Sequence, residues 1–453
     1  MKAEFLRHTS SSKLILIFAG WSTKPQFYSD ICRKGWDVLV VYDYSEPEFT
    51  HELLAGYDTV WLFAWSLGVF AADITLSDSE VAAAIAVNGT PDPVSDEYGI
   101  PDNIFNATAE NLNRQNFIKF RKRMAGSSKV FKEKFNDDFS DETVGHLQEE
   151  LFRIYDLAKS EEKSQKGLNW NRAFISLDDR IFPAANMKTA WAKRNVPVSI
   201  LDSADHYVDL AAIVDTLLPD PEIVGKKFAE ANSSTYDKHA FAQHKIASRL
   251  MERLFSLNPE SGKKILEVGC GSGFLSKKLG EALSPAEAHF VDLAIPGIFG
   301  IAPEENYISG DAEEWIKECE EKYDLIVSAS TVQWFSDLRL FLKNCSKTLR
   351  SDGILAFSTF LPGNLEELDT LRPSPLLYHP AETLRRWLDE DFKDIEISAE
   401  RIKLEFGTSR DAMMHLKYTG VAGSSPSSGI NPLSLRNLKT LTYLPLYVVC
   451  RKK

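Results

Sequence analysis

The sequence predicts two α/β domains in tandem, and three observations carry that reading. At 453 residues the chain is too long for one ordinary domain and suits two of roughly two hundred residues each. An apolar run from Thr59 to Ala64 leads straight into Ala64-Trp65-Ser66-Leu67-Gly68 and then into an apolar, helix-like stretch. A second apolar run, Ile265, Leu266 and Val268, ends in glycines at alternate positions, Gly269, Gly271 and Gly273, before helical spacing resumes at Leu275.

In the first half, strands are expected at Leu14 to Phe18, which runs into Ala19-Gly20-Trp21-Ser22, then at Trp36 to Tyr44 and Thr59 to Ala64. A serine between small residues, after a strand and before a helix, describes a nucleophile elbow, whose tight turn lifts the hydroxyl above the sheet. Gly68 keeps its usual place there, and Ala64, small enough for the turn, stands where the pattern has its first glycine. The other members of a catalytic triad should follow in the order acid, histidine. Ala173 to Leu177 is a strand followed by Asp178-Asp179-Arg180-Ile181-Phe182-Pro183, and the strand Pro197 to Leu201 leads to His206. His206 is the only histidine of this half with that context, and its bland reading is a surface-loop histidine. Asp179 is preferred to Asp178 because hydrolases of this fold often use the spacing Asp-x-Ile-Phe-Pro. The expected roles are Ser66 as nucleophile, His206 as general base and acid, and Asp179 as the group that orients the imidazole. Backbone N–H groups of Leu67 and of the turn at Trp21 would hold the developing oxyanion.

Between elbow and acid lies an insert, about 92–171, where the strands pause. Its centre is strongly basic, with Arg114, Lys119, Arg121, Lys122, Arg123, Lys129, Lys132 and Lys134, and Phe117, Ile118, Phe120, Val130 and Phe131 are interleaved. The bland reading is a solvated helix face. The sharper reading is a lid whose apolar side covers an acyl chain and whose basic side docks an acidic carrier.

The second half turns on the glycine loop, which on its own could be a turn without a ligand. A dinucleotide loop would place its third glycine where Phe274 stands, and Glu267 just before the loop would repel a pyrophosphate. S-adenosylmethionine suits the loop better, since it has no phosphates and carries an ammonium that a carboxylate can offset. Ala288 to Val291 ends in Asp292, placed for ribose hydroxyls, and Tyr307 and Ile308 lead to Gly310 and Asp311. Glu267, Asp292 and Asp311 then fit one crevice at the carboxyl edge of one sheet. A fourth run, Tyr323 to Ser330, is followed by Val332-Gln333-Trp334-Phe335 and a helix. A strand at Ile354 to Phe360 and closing antiparallel strands at Ile395 to Phe406 and Leu441 to Val449 are expected, a pattern that suits methyltransferases. Tyr236-Asp237-Lys238-His239-Ala240 opens a helix ahead of the loop, and the stretch 219–234 is the expected join.

The formal charge of −13 argues against general nucleic-acid binding. The five cysteines are odd in number and share no metal-ligand spacing, so they read as free thiols of a reducing compartment, with no metal. Leu14 to Ala19 is too short for a signal peptide and no segment is long enough to span a bilayer. A cytoplasmic protein without a membrane partner is therefore expected.

Two families are recognisable on the one chain. Residues from about 226 to 453 resemble the malonyl-carrier-protein methyltransferases of biotin synthesis, the BioC type. The matching pieces are Tyr236-x-x-His239-Ala240-x-x-Gln243, the Glu267 loop, Val332-Gln333-Trp334, Phe357-Ser358-Thr359-Phe360, Leu416-Lys417-x-Thr419-Gly420 and Leu441-Thr442-Tyr443. Residues 1 to about 216 resemble the BioG type of pimeloyl-carrier-protein methyl ester esterases, through Phe18-Ala19-Gly20-Trp21, Trp65-Ser66-Leu67-Gly68-Val69 and Asp179-x-Ile181-Phe182-Pro183, with Ser22 where glycine is usual. The resemblance implies an α/β-hydrolase fold with a helical lid in residues 1–218, a linker at 219–234, and a class I, Rossmann-like methyltransferase fold in 235–453. It also implies S-adenosylmethionine as cofactor of the second domain, none for the first, and active-site closure by Tyr236, His239, Gln333 and Trp334. The partner it implies is an acyl carrier protein bearing malonyl or methyl-pimeloyl groups.

Overall fold

The structure is a computed structural model that describes residues 1–453 except 136, 138, 161–166, 202–204, 219, 231–232, 296, 370–375 and 420–437. Gly420 and parts of the expected join thus lie outside the described residues. The chain divides into two compact units, Met1–Val214 and Asp215–Lys453.

The first unit is built on one seven-stranded sheet of β1 (Lys2–Arg7), β2 (Lys13–Phe18), β3 (Asp37–Tyr42), β4 (Thr59–Trp65), β5 (Ala83–Val87), β6 (Arg172–Ser176) and β7 (Val198–Leu201). Their order is β1-β3-β2-β4-β5-β6-β7, parallel throughout except for β1, which runs antiparallel to β3 at the edge. Continuous apolar runs such as Lys13–Phe18 and Thr59–Trp65 have almost no exposed residue, as a parallel sheet covered on both faces requires. Helix α1 (Leu67–Thr75) follows β4 directly. The insert between β5 and β6 forms four helices, α2 (Asp102–Glu110), α3 (Arg114–Ala125), α4 (Ser128–Lys134) and α5 (Asp141–Lys159). Helix α6 (Ala184–Lys193) follows β6, and α7 (Leu210–Leu217) runs across the division after Val214. Strand β5 is absent from the sequence reading. Its five residues, Ala83–Val87, are three alanines among two aliphatics, a weak strand signal on propensity, and burial between β4 and β6 decides their state.

The second unit begins with α8 (Pro221–Glu230) and α9 (Ser233–His239), so the stretch expected as a join contains a helix. Helix α10 (Phe241–Leu254) precedes β8 (Lys264–Val268), α11 (Phe274–Leu283), β9 (Glu287–Asp292), β10 (Glu304–Ser309), β11 (Tyr323–Ala329), β12 (Leu349–Phe360), β13 (Phe392–Ala399), β14 (Ile402–Glu405), β15 (Thr440–Tyr443) and β16 (Pro445–Lys452). The main sheet runs β10-β9-β8-β11-β12-β16-β13, with β16 antiparallel to both of its neighbours. This is the class I S-adenosylmethionine-dependent methyltransferase fold. The strand order reverses between β8 and β11, and a crevice opens at that point beyond their carboxyl ends.

The two closing strands need correction. Each is broken, so that β13 and β16 join the main sheet while β14 and β15 pair separately. Pro445 has no N–H to continue a ladder, which separates β15 from β16. Between them Leu444 turns to Asn364, whose Oδ1 accepts from the Leu444 N–H at 2.9 Å.

Candidate active sites

Ser66 sits at the turn from β4 into α1 with φ 59° and ψ −127°, a conformation an L residue rarely adopts. The surroundings leave no alternative. A Cβ at Gly68 would lie 2.3 Å from the Phe18 carbonyl oxygen, and one at Gly89 would lie 2.2 Å from the carbonyl oxygen of Ser66 itself. The hydroxyl is 2.9 Å from His206 Nε2, and His206 Nδ1 is 2.8 Å from Asp179 Oδ2. Asp179 Oδ1 accepts from the backbone N–H of Ile181 at 2.7 Å and of Phe182 at 2.9 Å, and the Phe182 ring stacks on His206 at 6.1 Å. The geometry therefore brings together Ser66, His206 and Asp179, whereas Asp178 is exposed. His206 is 1 % exposed, so its imidazole has exchanged water for these two partners.

Leu67 is the first residue of α1, and its N–H has no intrahelical acceptor. The turn at Trp21 is clamped by buried hydroxyls. Tyr28 accepts from the Gly20 N–H at 2.9 Å, Tyr44 donates to the Ala19 carbonyl at 2.6 Å, and Thr23 donates to the Gly20 carbonyl at 2.6 Å. Ser22 takes φ 68°, which explains why glycine is favoured at that place.

The insert packs on this turn. Trp21 Nε1 donates to the Leu147 carbonyl of α5 at 3.2 Å, and the rings of Phe117 and Phe120 on α3 meet the indole edge-on at 5.8 and 5.2 Å. Lys119, Lys122, Arg123, Lys129 and Lys132 are exposed. Arg121 departs from the reading of a uniformly basic face. It is buried, its guanidinium packs against the rings of Phe117, Phe135 and Phe139, and Nη2 bonds Asp137 Oδ2 at 3.2 Å.

In the second unit a cavity of about 320 Å³ opens at the β8–β11 switch point, lined among others by Tyr236, Gly271, Asp292, Asp311, Gln333 and Trp334. Gly269 and Gly273 carry φ 74° and 80°, and side chains there would run into Thr331 and the Phe299 ring. The Gly271 N–H donates to Asp292 Oδ2 at 2.8 Å, and Asp292 Oδ1 accepts from the Ala294 N–H at 3.0 Å. Glu267 is 1 % exposed and its Oε2 is without a hydrogen-bond partner. Burial pushes its carboxyl up to about 8, and the Asp292 carboxylate adds to the rise. Asp311 caps the helix that begins at Ala312, accepting from the Glu313 N–H at 2.9 Å. Trp334 meets Phe228 of α8 edge-on at 6.1 Å. His239 does not line the cavity; its ring stacks on Tyr418 at 4.8 Å and its carbonyl accepts from His415 Nδ1 at 2.6 Å. Asn364 and Tyr378 reach the same cavity from segments far away in the chain, which no local signal could have announced, and Thr419 of the Leu416-Lys417-x-Thr419 segment joins them. Among the described residues no cluster of side chains could hold a metal ion, and no helix is long and apolar enough to cross a membrane.

Comparison with known proteins adds identity to this geometry. Residues 1–211 match the family described as pimeloyl-ACP methyl esterase BioG, and residues 236–396 match a methyltransferase domain family. A malonyl-[acyl-carrier protein] O-methyltransferase of Bacteroides fragilis is 32% identical over 462 residues, covering 97% of this chain and 93% of the relative. One of Haemophilus influenzae is 31% identical over 239 residues, covering 48% of this chain and 89% of that protein. The crystal structure of BioG from Haemophilus influenzae is 32% identical in sequence, with a TM-score of 0.42, and covers 46% of this chain and 94% of that one.

Proposed function

Because the chain belongs to the family of malonyl-[acyl-carrier protein] O-methyltransferases, we propose that it is a bifunctional enzyme of biotin synthesis. Its C-terminal domain methylates the free carboxylate of malonyl-carrier protein, and its N-terminal domain hydrolyses the methyl ester of pimeloyl-carrier protein. The observation that carries the second half is the unbroken chain of hydrogen bonds from Ser66 through His206 to Asp179. On this reading the first sheet is that of an α/β-hydrolase fold and α2–α5 are its lid.

Hydrolysis follows from the atoms in hand. Ser66 Oγ attacks the ester carbonyl as His206 Nε2 takes its proton. Asp179 holds Nδ1–H, which keeps Nε2 free to accept and stabilises the imidazolium. The oxyanion is met by the N–H groups of Leu67 and Trp21, and His206 returns the proton to departing methanol. Water, deprotonated by the same nitrogen, then frees the acid from Ser66.

The second site suits S-adenosylmethionine, because Asp292 lines the cavity where ribose hydroxyls would bind; Glu267 is buried just ahead of the glycine loop and is not itself among the residues that line the cavity. Asp311 and the loop glycines Gly269 and Gly271 line the same cavity. When bound, the cofactor supplies an electrophilic methyl group on its sulfonium. A malonyl carboxylate is already ionised at neutral pH, so Tyr236, Gln333 and Trp334 serve to align it and exclude water, and no strong base is needed. Exposed lysines and arginines on α3 and α4 give the lid a positive face for an acidic carrier. Free thiols at all five cysteines support a reducing, cytoplasmic setting.

The test is to incubate the purified chain with S-adenosylmethionine and malonyl-carrier protein, and separately with pimeloyl-carrier protein methyl ester, and to weigh the products. Gain of one methyl on the first and loss of one on the second are expected. No change on either carrier would instead favour a serine hydrolase joined to a methyltransferase of some other small carboxylate.

A further inference from the structure

We infer that Asn88 and Trp65 are positioning residues for ester hydrolysis, their side-chain N–H groups jointly holding the His206 carbonyl and so fixing the imidazole between Ser66 and Asp179. The inference rests on the esterase reading of the N-terminal domain.

His206 stands outside regular structure, since β7 ends at Leu201 and α7 begins at Leu210. It belongs to no ladder or helix, and the N–H of the peptide that follows it, that of Tyr207, donates to the Met124 carbonyl of α3 at 3.0 Å. The His206 carbonyl accepts two hydrogen bonds, from Trp65 Nε1 at 3.1 Å and from Asn88 Nδ2 at 2.9 Å. Both donors are buried, Asn88 completely and Trp65 to 3 % exposure, so neither bond has water as an alternative.

Each donor belongs to another arm of the triad. Trp65 immediately precedes Ser66, and its ring is pinned by the stacked Phe27 ring at 5.6 Å and by Gly20, where a Cβ would lie 2.5 Å from the indole. Asn88 follows β5 with φ 45°; its Oδ1 accepts from the Ser176 N–H at 2.8 Å, and its Nδ2 also donates to Ser176 Oγ at 2.8 Å. Ser176 ends β6, the strand that delivers Asp179. The partners fix the amide orientation, because the Ser176 N–H can meet only an acceptor and the His206 carbonyl only a donor. One amide thus ties the histidine to the acid strand, and one indole ties it to the nucleophile strand.

The test uses the full chain with two shape-preserving variants. Asn88→Asp sets an acceptor against the His206 carbonyl, and Trp65→Phe keeps a ring and deletes the donor. Hydrolysis of p-nitrophenyl acetate is measured per competent site, counted by titration with a fluorophosphonate, and the imidazole N–H held to Asp179 is followed by its downfield proton resonance. In each variant kcat should fall by about tenfold or more while KM stays within about twofold, and the resonance should shift or broaden. Wild-type kcat per competent site in both variants overturns the inference, because the residues would then be merely structural. Absence of any Ser66-dependent hydrolysis in the wild type overturns the esterase reading and the inference with it.

Discussion

On the proposed function Glu267, buried just ahead of the glycine loop, is the side chain that would offset the cofactor's ammonium. Its carboxyl is pushed up to about 8 by burial, far above an ordinary glutamate, so at neutral pH it is mostly protonated until a cation arrives. An ammonium favours the ionised form, and binding must expel that proton. Cofactor affinity is therefore expected to rise with pH up to about 8 and to release a proton below it, read by calorimetry in buffers of different ionisation enthalpy. Glu267→Gln should bind more weakly and without either pH dependence or proton release. The acidic residue ahead of the glycines was legible because its place relative to the loop is local. Its missing partner was not, since that depends on which polar groups from β9 and α11 reach it. Arg121 makes the same point in reverse. In sequence it is one of eight basic residues at the centre of the insert, and only packing against Phe117, Phe135 and Phe139 turns it inward.

The insert of α2–α5 is the element whose behaviour the packing makes most testable. Glu150 on α5 is buried and accepts from the Tyr44 N–H at 2.8 Å, and burial, with Asp43 nearby, pushes it up to about 7. A carboxyl raised in the folded state holds its proton there while the unfolded chain has lost it. Stability should thus fall as pH climbs from the ordinary glutamate range to about 7. Glu150→Gln keeps the acceptor for Tyr44 and should flatten that loss, which thermal melts of the N-terminal domain between those limits would reveal. On the proposed function, the apolar side of the insert is where chain-length selectivity would arise. Pimeloyl exceeds malonyl by four methylenes at about 0.8 kcal/mol each, so an apolar pocket for the chain would supply roughly 3 kcal/mol, about two hundredfold. Phe120 on α3 is nearly buried against Trp21, and Phe131 lies half-buried on α4. Trimming both to Ala is expected to narrow the preference for the longer ester, with kcat/KM on the two methyl esters as the readout. An unchanged ratio would remove the lid from the account of chain length.

For the whole molecule, the proposed function has one chain both make and remove methyl esters, which needs two sites that act separately. Ser66→Ala should abolish ester hydrolysis by about a thousandfold or more and leave methyl transfer intact. Asp292→Ala should do the reverse, and loss of both activities in either variant would mean that the domains depend on each other. By itself the sequence determined two α/β domains, the turn that bears Ser66, the glycine loop behind Glu267 and the strand-end carboxylates. These are local signals, in which a few adjacent residues dictate backbone conformation. The tertiary structure decided what has no local signature. It recruited the alanine-rich β5 into the sheet, split the closing strands at Pro445, and brought Asn88 and Trp65 to one carbonyl. In each case burial and the need to satisfy polar groups across distant segments outweighed the preferences of the residues themselves.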